Sequence, residues 1–144
     1  MNIFASLAIF VALLTTWSSV LADEHDAKNF ITVATGTDPS SGDAKINSVD
    51  RQLRAIEASC ASTSRGAGIH DKLAKTHSLL RTSQPLLDLL TDFVHIASAQ
   101  CKRLDDSTLI SLYVLERNSG VSHTATVAKL SKNPGSLVTK WSSR

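Results

Sequence analysis

The apolar stripe that follows Pro85 constrains the fold of this chain more than any other feature of its sequence. Proline is well tolerated in the first turn of a helix, so Pro85 is suited to begin one. The apolar residues after it are Leu86, Leu87, Leu89, Leu90, Phe93, Val94, Ile96 and Ala97. They recur at three- and four-residue steps and cover a wide sector, which predicts a helix that is buried on more than one side.

Helical spacing is also found on both sides of this stripe. One helix face before it carries Ile69, Leu73, Thr76 and Leu80, and another after it carries Leu109, Leu112, Tyr113 and Glu116. Either Asp105 or Asp106 is suited to cap the later helix. The run 109–115 is also compatible with a strand, but Asn118-Ser119-Gly120 is typical of a helix end and favours a helix.

A fourth helix is predicted between Ser122, a suitable cap, and about Lys132. A short tail containing Leu137, Val138 and Trp141 follows and is expected to pack back on the helices. The sequence therefore predicts an all-α fold, a small helical bundle over residues 69–144.

Residues 1–22 have the layout of a secretory signal peptide. They contain no charged side chain, and an apolar run of about 12 residues from Ile3 to Leu14 precedes a more polar stretch that ends at Ala22. A transmembrane anchor is the alternative, but it requires roughly 20 apolar residues. We expect cleavage after Ala22, export, and a mature protein that is not integral to a membrane.

The first part of the mature chain, 23–50, differs in charge from the part that follows it. Six acidic and two basic side chains lie in 23–50, whereas 51–144 holds 13 basic and seven acidic ones. Residues 35–43 are a run of turn formers, and the apolar residues nearby are too sparse to offset the entropy of ordering the backbone. We therefore interpret 23–68 as a flexible, disordered arm between the signal peptide and the helical body.

Composition and motifs exclude several classes of protein. A chain of 144 residues allows one domain, and a net charge of +2 argues against a strongly basic nucleic-acid binder. No His-Glu-x-x-His, Gly-x-Ser-x-Gly, P-loop or zinc-finger spacing is present. We therefore expect no metal, no cofactor and no enzyme activity, although a site assembled from residues far apart in the chain stays open as a weaker alternative.

Cys60 and Cys101 are the two cysteines of the chain. In an oxidising space they would form one disulfide that ties the arm to the long helix. In a reducing cytosol they would be two free thiols. The sequence leaves both states open.

One tetrapeptide, Arg51-Gln52-Leu53-Arg54, lies about 29 residues after the expected cleavage site. An exported chain with Arg-x-Leu-Arg in this window, a disordered spacer with Ser, Gly and Asp, and a helical C-terminal domain resembles the RxLR effectors that oomycete plant pathogens secrete. The acidic-acidic-Arg motif common in that family is missing, since Glu57 stands alone. Tyr113 precedes Trp141, so the family's Trp-then-Tyr helical bundle is not assigned.

The resemblance implies a function in two parts. The segment Arg51–Arg54 would direct uptake into plant cells, through a weak phosphoinositide contact of Arg51 and Arg54 or through proteolytic processing. The helical domain would then bind a host plant protein in the cytoplasm or nucleus and suppress immunity or cell death. The alternative for the tetrapeptide is a solvated arginine pair in a linker, or at the start of a short helix with Leu53 and Ile56.

A second function stays open on the residues alone. The chain would then remain outside cells as a small helical inhibitor or ligand, stapled by a Cys60–Cys101 disulfide.

Overall fold

The computed structural model describes residues 24–61 and 68–144. Within these two stretches all regular structure is helical. The helices are α1 (24–35), α2 (Ala44–Cys60), α3 (Ile69–Leu79), α4 (Leu86–Gln100), α5 (Asp106–Asn118), α6 (His123–Lys132) and α7 (Pro134–Ser142). The all-α prediction is confirmed, and 109–115 is helix rather than strand. The predicted signal peptide, 1–22, lies outside the described residues.

Helix α4 forms the centre of the bundle. It packs against α2, α3 and α6, and Leu90, Phe93 and Ile96 are completely buried. The expectation that this helix is buried on more than one side is confirmed. None of the described helices combines the length and the apolar character that a bilayer span requires.

The predicted flexible arm, 23–68, is wrong for residues 24–61. Helix α1 buries Ala27, Phe30 and Ile31 in the common core. Helix α2 buries one stripe at three- and four-residue steps, which consists of Ile46, Val49, Leu53, Ile56 and Cys60. Packing this stripe against α4 removes apolar surface from water, and this burial opposes the entropy of ordering the backbone. Residues 23 and 62–67 of the predicted arm lie outside the described residues.

The turn-forming residues between α1 and α2 form the turn that connects these two helices. Gly36 and Gly42 both have positive φ angles, which a glycine adopts without steric cost. Asp43 then caps α2, because its carboxylate accepts a hydrogen bond from the backbone N–H of Lys45 at 2.9 Å. Residues 36–43 are therefore a short connection within the folded body.

The ends of α5 and α6 agree with the predicted caps. Of the two candidates for α5, Asp105 is the cap, since its carboxylate accepts from the backbone N–H of Thr108 at 2.8 Å. Asp106 is buried and pairs with Lys72 of α3 at 2.9 Å. Ser122 caps α6 by accepting from the backbone N–H of Ala125.

The C-terminal tail packs back on the bundle, and it does so as a helix. Helix α7 begins with Pro134 in its first turn, buries Leu137 and packs against α5 and α6. The predicted packing of this tail is confirmed, whereas its helical conformation has no counterpart among the sequence-based predictions.

Candidate functional site

The Arg51–Arg54 tetrapeptide lies in the middle of α2. Arg51 and Arg54 are exposed, whereas Leu53 is 4% exposed and packs in the core. Arg54 pairs with Asp50 one turn earlier, with 3.0 Å between Nε and Oδ2. The side-chain oxygen of Gln52 accepts a hydrogen bond from the hydroxyl of Thr91 on α4 at 3.0 Å. The four residues therefore belong to a packed helix and are not an extended, flexible segment.

The position of the tetrapeptide in a packed helix restricts which of its groups another molecule can contact. A protease that binds an extended chain would first have to detach α2 from α4, because Leu53 is inside the core. The guanidinium groups of Arg51 and Arg54 are accessible without any such change. The arginines share a helix with Leu53 and Ile56, as the alternative interpretation had it, but in its middle rather than at its start.

Cys60 and Cys101 form a disulfide. Cys60 is the last residue of α2, and Cys101 follows the last residue of α4, so the packing of these two helices brings their Cα atoms to 4.8 Å. The bridge is inaccessible to solvent, with 1% of Cys60 and none of Cys101 exposed. Of the two states that the sequence left open, the structure contains the disulfide.

A hydrogen-bonded chain of three side chains, Asp92, His123 and Tyr113, joins α4, α6 and α5. The Nε2 atom of His123 lies 2.6 Å from Oδ2 of Asp92, and its Nδ1 atom lies 2.8 Å from the hydroxyl of Tyr113. In the neutral histidine that satisfies both contacts, Nε2–H donates to the carboxylate and Nδ1 accepts from the phenol. Sequence analysis did not connect these residues.

The phenol at the end of this chain is not an accessible nucleophile. Tyr113 is 1% exposed, and burial raises the pKa of its hydroxyl, an effect that the positive charge of Arg117 only partly offsets. Tyr113 therefore stays protonated, and its contact with Nδ1 orients the ring of His123. His123 in turn holds Asp92 at a cleft of about 280 Å³ lined by Gln84, Asp88, Thr91, Asp92 and His123.

A second polar cluster is centred on Glu116 of α5, whose side chain is completely buried. Its carboxylate accepts hydrogen bonds from Lys129 of α6 at 3.0 Å, from the indole N–H of Trp141 at 3.0 Å, and from Lys140. Burial by itself raises the pKa of Glu116, but the bonds from Lys140, Lys129 and Trp141 outweigh it and hold the pKa below its ordinary value. The ionised carboxylate thereby connects α5 to both C-terminal helices.

In residues 24–61 and 68–144, no group of three or more histidine, cysteine, aspartate or glutamate side chains is arranged to hold a metal ion. Comparison with known proteins gives no family model, no curated protein and no solved structure that matches this chain. The resemblance to RxLR effectors therefore depends on the signal peptide that the sequence predicts for 1–22, on residues 51–54 and on the helical body, since the disordered spacer that it also required is folded over residues 24–61.

Proposed function

We propose that this chain is an exported helical binding protein that acts in an oxidising extracellular space, as a small inhibitor or ligand of another protein. The buried Cys60–Cys101 disulfide is the observation that carries this proposal. Disulfides persist in secreted proteins and are rare in the cytosol, where thiols are kept reduced. The signal peptide expected at 1–22 agrees with this compartment.

Binding is favoured over catalysis by the chemistry of the polar residues. The Asp92–His123–Tyr113 chain has the groups of a nucleophile relay, but its hydroxyl is buried and protonated. The buried Glu116 is fully engaged by two lysines and a tryptophan. Both clusters are therefore better suited to hold helices and side chains in place than to perform a reaction.

The test is to secrete the full chain from a eukaryotic host and to count thiols in the denatured product. We expect no free thiol and an N-terminus at Asp23, because the bridge closes during export. A cytosolic preparation that is left reduced is the matched control, and it should show two thiols. Free cysteines in the exported protein, or a retained leader, would contradict the proposal.

A second candidate is an RxLR-type effector that a plant-pathogenic oomycete delivers into host cells, where it binds a host protein and suppresses immunity or cell death. The observation in its favour is that Arg51 and Arg54 are exposed at the surface of α2, although Leu53 between them is buried in the core. These two groups would make the proposed phosphoinositide contact and direct uptake, after which the protein acts in the host cytoplasm or nucleus.

Two double variants test whether uptake into host cells and activity inside those cells depend on different residues. For an effector, we expect R51A/R54A to abolish uptake from the pathogen and to leave cell-death suppression intact when residues 23–144 are expressed inside leaf cells. Both side chains are exposed, so the change should alter stability by no more than about 0.5 kcal/mol. The control K102A/R103A, at another exposed basic pair, should retain uptake. If R51A/R54A and K102A/R103A were taken up equally well, residues 51–54 would not direct uptake, and this result would contradict the effector hypothesis.

A further inference from the structure

The two cysteines of the Cys60–Cys101 bridge are held by parts of the fold that differ in how firmly they are anchored. Cys60 is the last residue of α2, whereas Cys101 follows α4 and leads into the short connection before α5. Both side chains are buried in the common core. A thiol that exchanges with a disulfide has to reach one of its sulfur atoms, so this bridge must be uncovered by a local opening before it reacts.

The Cys101 end of the bridge is fixed on several sides. The backbone N–H of Cys101 donates to the carbonyl oxygen of Ala97 at 2.9 Å, and the N–H of Arg103 donates to the carbonyl oxygen of Gln100 at 2.8 Å. The side-chain amide of Gln100 donates to the backbone oxygen of Ser131 at 2.7 Å, which ties the end of α4 to α6. Ala97 and Gln100 are themselves buried, so the sulfur of Cys101 is uncovered only when the end of α4 separates from its neighbours.

The Cys60 end is anchored by fewer contacts. The last turn of α2 consists of residues 57–60, and Cys60 is the one buried side chain among these four. Local opening requires the least free energy where the fewest buried apolar contacts are lost, so this turn opens before the end of α4 does. The bridge permits the movement, because disulfides span Cα separations up to about 6.8 Å and this one spans 4.8 Å. The sulfur of Cys60 is then uncovered while that of Cys101 stays inside the core.

We propose that Cys60 is the sulfur at which small thiols attack this bridge, and that the last turn of α2 controls their access to it. The attacking thiolate forms a new disulfide bond with Sγ of Cys60, the bond between the two cysteines breaks, and Cys101 leaves as a thiolate that takes up a proton. A second thiolate attacks the sulfur of the bound thiol, leaves with it as a disulfide, and releases Cys60 as a thiol. Cys60 is therefore a site of S-thiolation that the closed structure conceals.

The experiment exposes the folded, disulfide-bonded mature protein to glutathione, stops the exchange with acid at short times, and locates the first adduct by peptide mass spectrometry. We expect glutathione on Cys60 and a free thiol on Cys101. The same reaction in denaturing urea is the control, because both sulfur atoms are then exposed and both adducts should form. Glutathione mainly on Cys101, or equally on both cysteines of the folded protein, would overturn the proposal.

Two matched glycine variants test whether the last turn of α2 controls access. Ala58 and Ala99 are both exposed, and each lies two residues before a cysteine of the bridge, the first in α2 and the second in α4. Replacing alanine by glycine weakens a helix by a similar intrinsic amount at either position. We expect Ala58→Gly to accelerate the first exchange about fivefold and Ala99→Gly to leave its rate close to that of the wild type. Equal acceleration by both variants would show that the bridge reacts from the globally unfolded chain, and this result would contradict the proposal.

Low concentrations of urea distinguish the two kinds of opening without any variant. A local opening exposes little surface, so the exchange rate should rise only weakly with urea below the unfolding transition. A rate that follows the whole urea dependence of the unfolding equilibrium would refute control by one helical turn. The proposal rests on the bridge and not on the compartment in which the protein acts. The thiol count on the exported protein and these exchange rates therefore test separate statements.

Discussion

Replacing both Cys60 and Cys101 with alanine is expected to lower the free energy of unfolding by about 4 kcal/mol. The cysteines are 41 residues apart, and the bridge removes the entropy of the open loop from the unfolded chain. Small domains are stable by only about 5–15 kcal/mol, so a loss of this size leaves a marginal fold. Urea denaturation followed by circular dichroism measures the difference.

Two controls test whether the effect comes from the bridge. Reduction of the wild-type protein should reproduce most of the loss, because it opens the same loop without changing the sequence. Ser98→Ala, at an exposed position of α4, should alter stability by no more than about 0.5 kcal/mol. A wild-type protein whose unfolding midpoint is the same with and without reductant would show that the disulfide does not stabilise the fold.

Glu116→Gln is expected to lower the free energy of unfolding by about 2–3 kcal/mol at neutral pH. The substitution keeps the volume but removes the charge that Lys129 and Lys140 approach, and each hydrogen bond to a charged group contributes roughly 1.5–3 kcal/mol. The loss should be smaller than in a fully buried ion pair, because both lysines are partly exposed and return to water.

The same variant should change how stability depends on pH. The pKa of Glu116 is lower in the folded protein than in the unfolded chain, so the contribution of its ionised form is complete above the ordinary carboxyl pKa. That contribution is lost as the pH falls through the folded value. We therefore expect the difference between wild type and Glu116→Gln to shrink on acidification.

An exposed ion pair provides the comparison for this measurement. Asp50→Asn removes one carboxylate partner of Arg54 on the outside of α2 and should cost no more than about 0.5 kcal/mol. If Asp50→Asn and Glu116→Gln were equally destabilised at neutral pH, Glu116 would not be the anchor of the C-terminal helices.

The central helices of this fold are predictable because local patterns determine them. The stripe after Pro85 marks α4, and the spacing of Leu109, Leu112 and Tyr113 marks α5. Gly120 ends α5 with a positive φ angle, which fits the proposed stop signal. Each of these signals acts within one or two helical turns, so it is visible without knowledge of the tertiary structure.

The sequence did not predict helix α2, because its apolar stripe is narrow and its remaining surface is polar. Ile46 and Val49 look isolated unless they are joined with Leu53 and Ile56, and alone they would not order a chain. The stripe of α2 is stabilised by packing against α4. The apolar stripe of α4 is wide and therefore requires partners on more than one side. The wide apolar stripe of α4 is the sequence feature with which the packing of α2 agrees.

The polar clusters were only partly visible in the sequence. Glu116 was already placed on the apolar face of α5, which is the pattern of a carboxylate that becomes buried. His123 and Asp92 are 31 residues apart, and no local pattern joins them before α4 and α6 pack together.

Under the proposed extracellular function, the bridge between Cys60 and Cys101 determines what a single proteolytic cut does to this protein. It closes a covalent ring that contains all of α3 and α4. A single cut in the connection between those helices leaves the two fragments bonded, so the nicked molecule stays in one piece. Only a cut combined with a reductant separates them, which makes the lifetime of the intact body depend on the redox state of its surroundings.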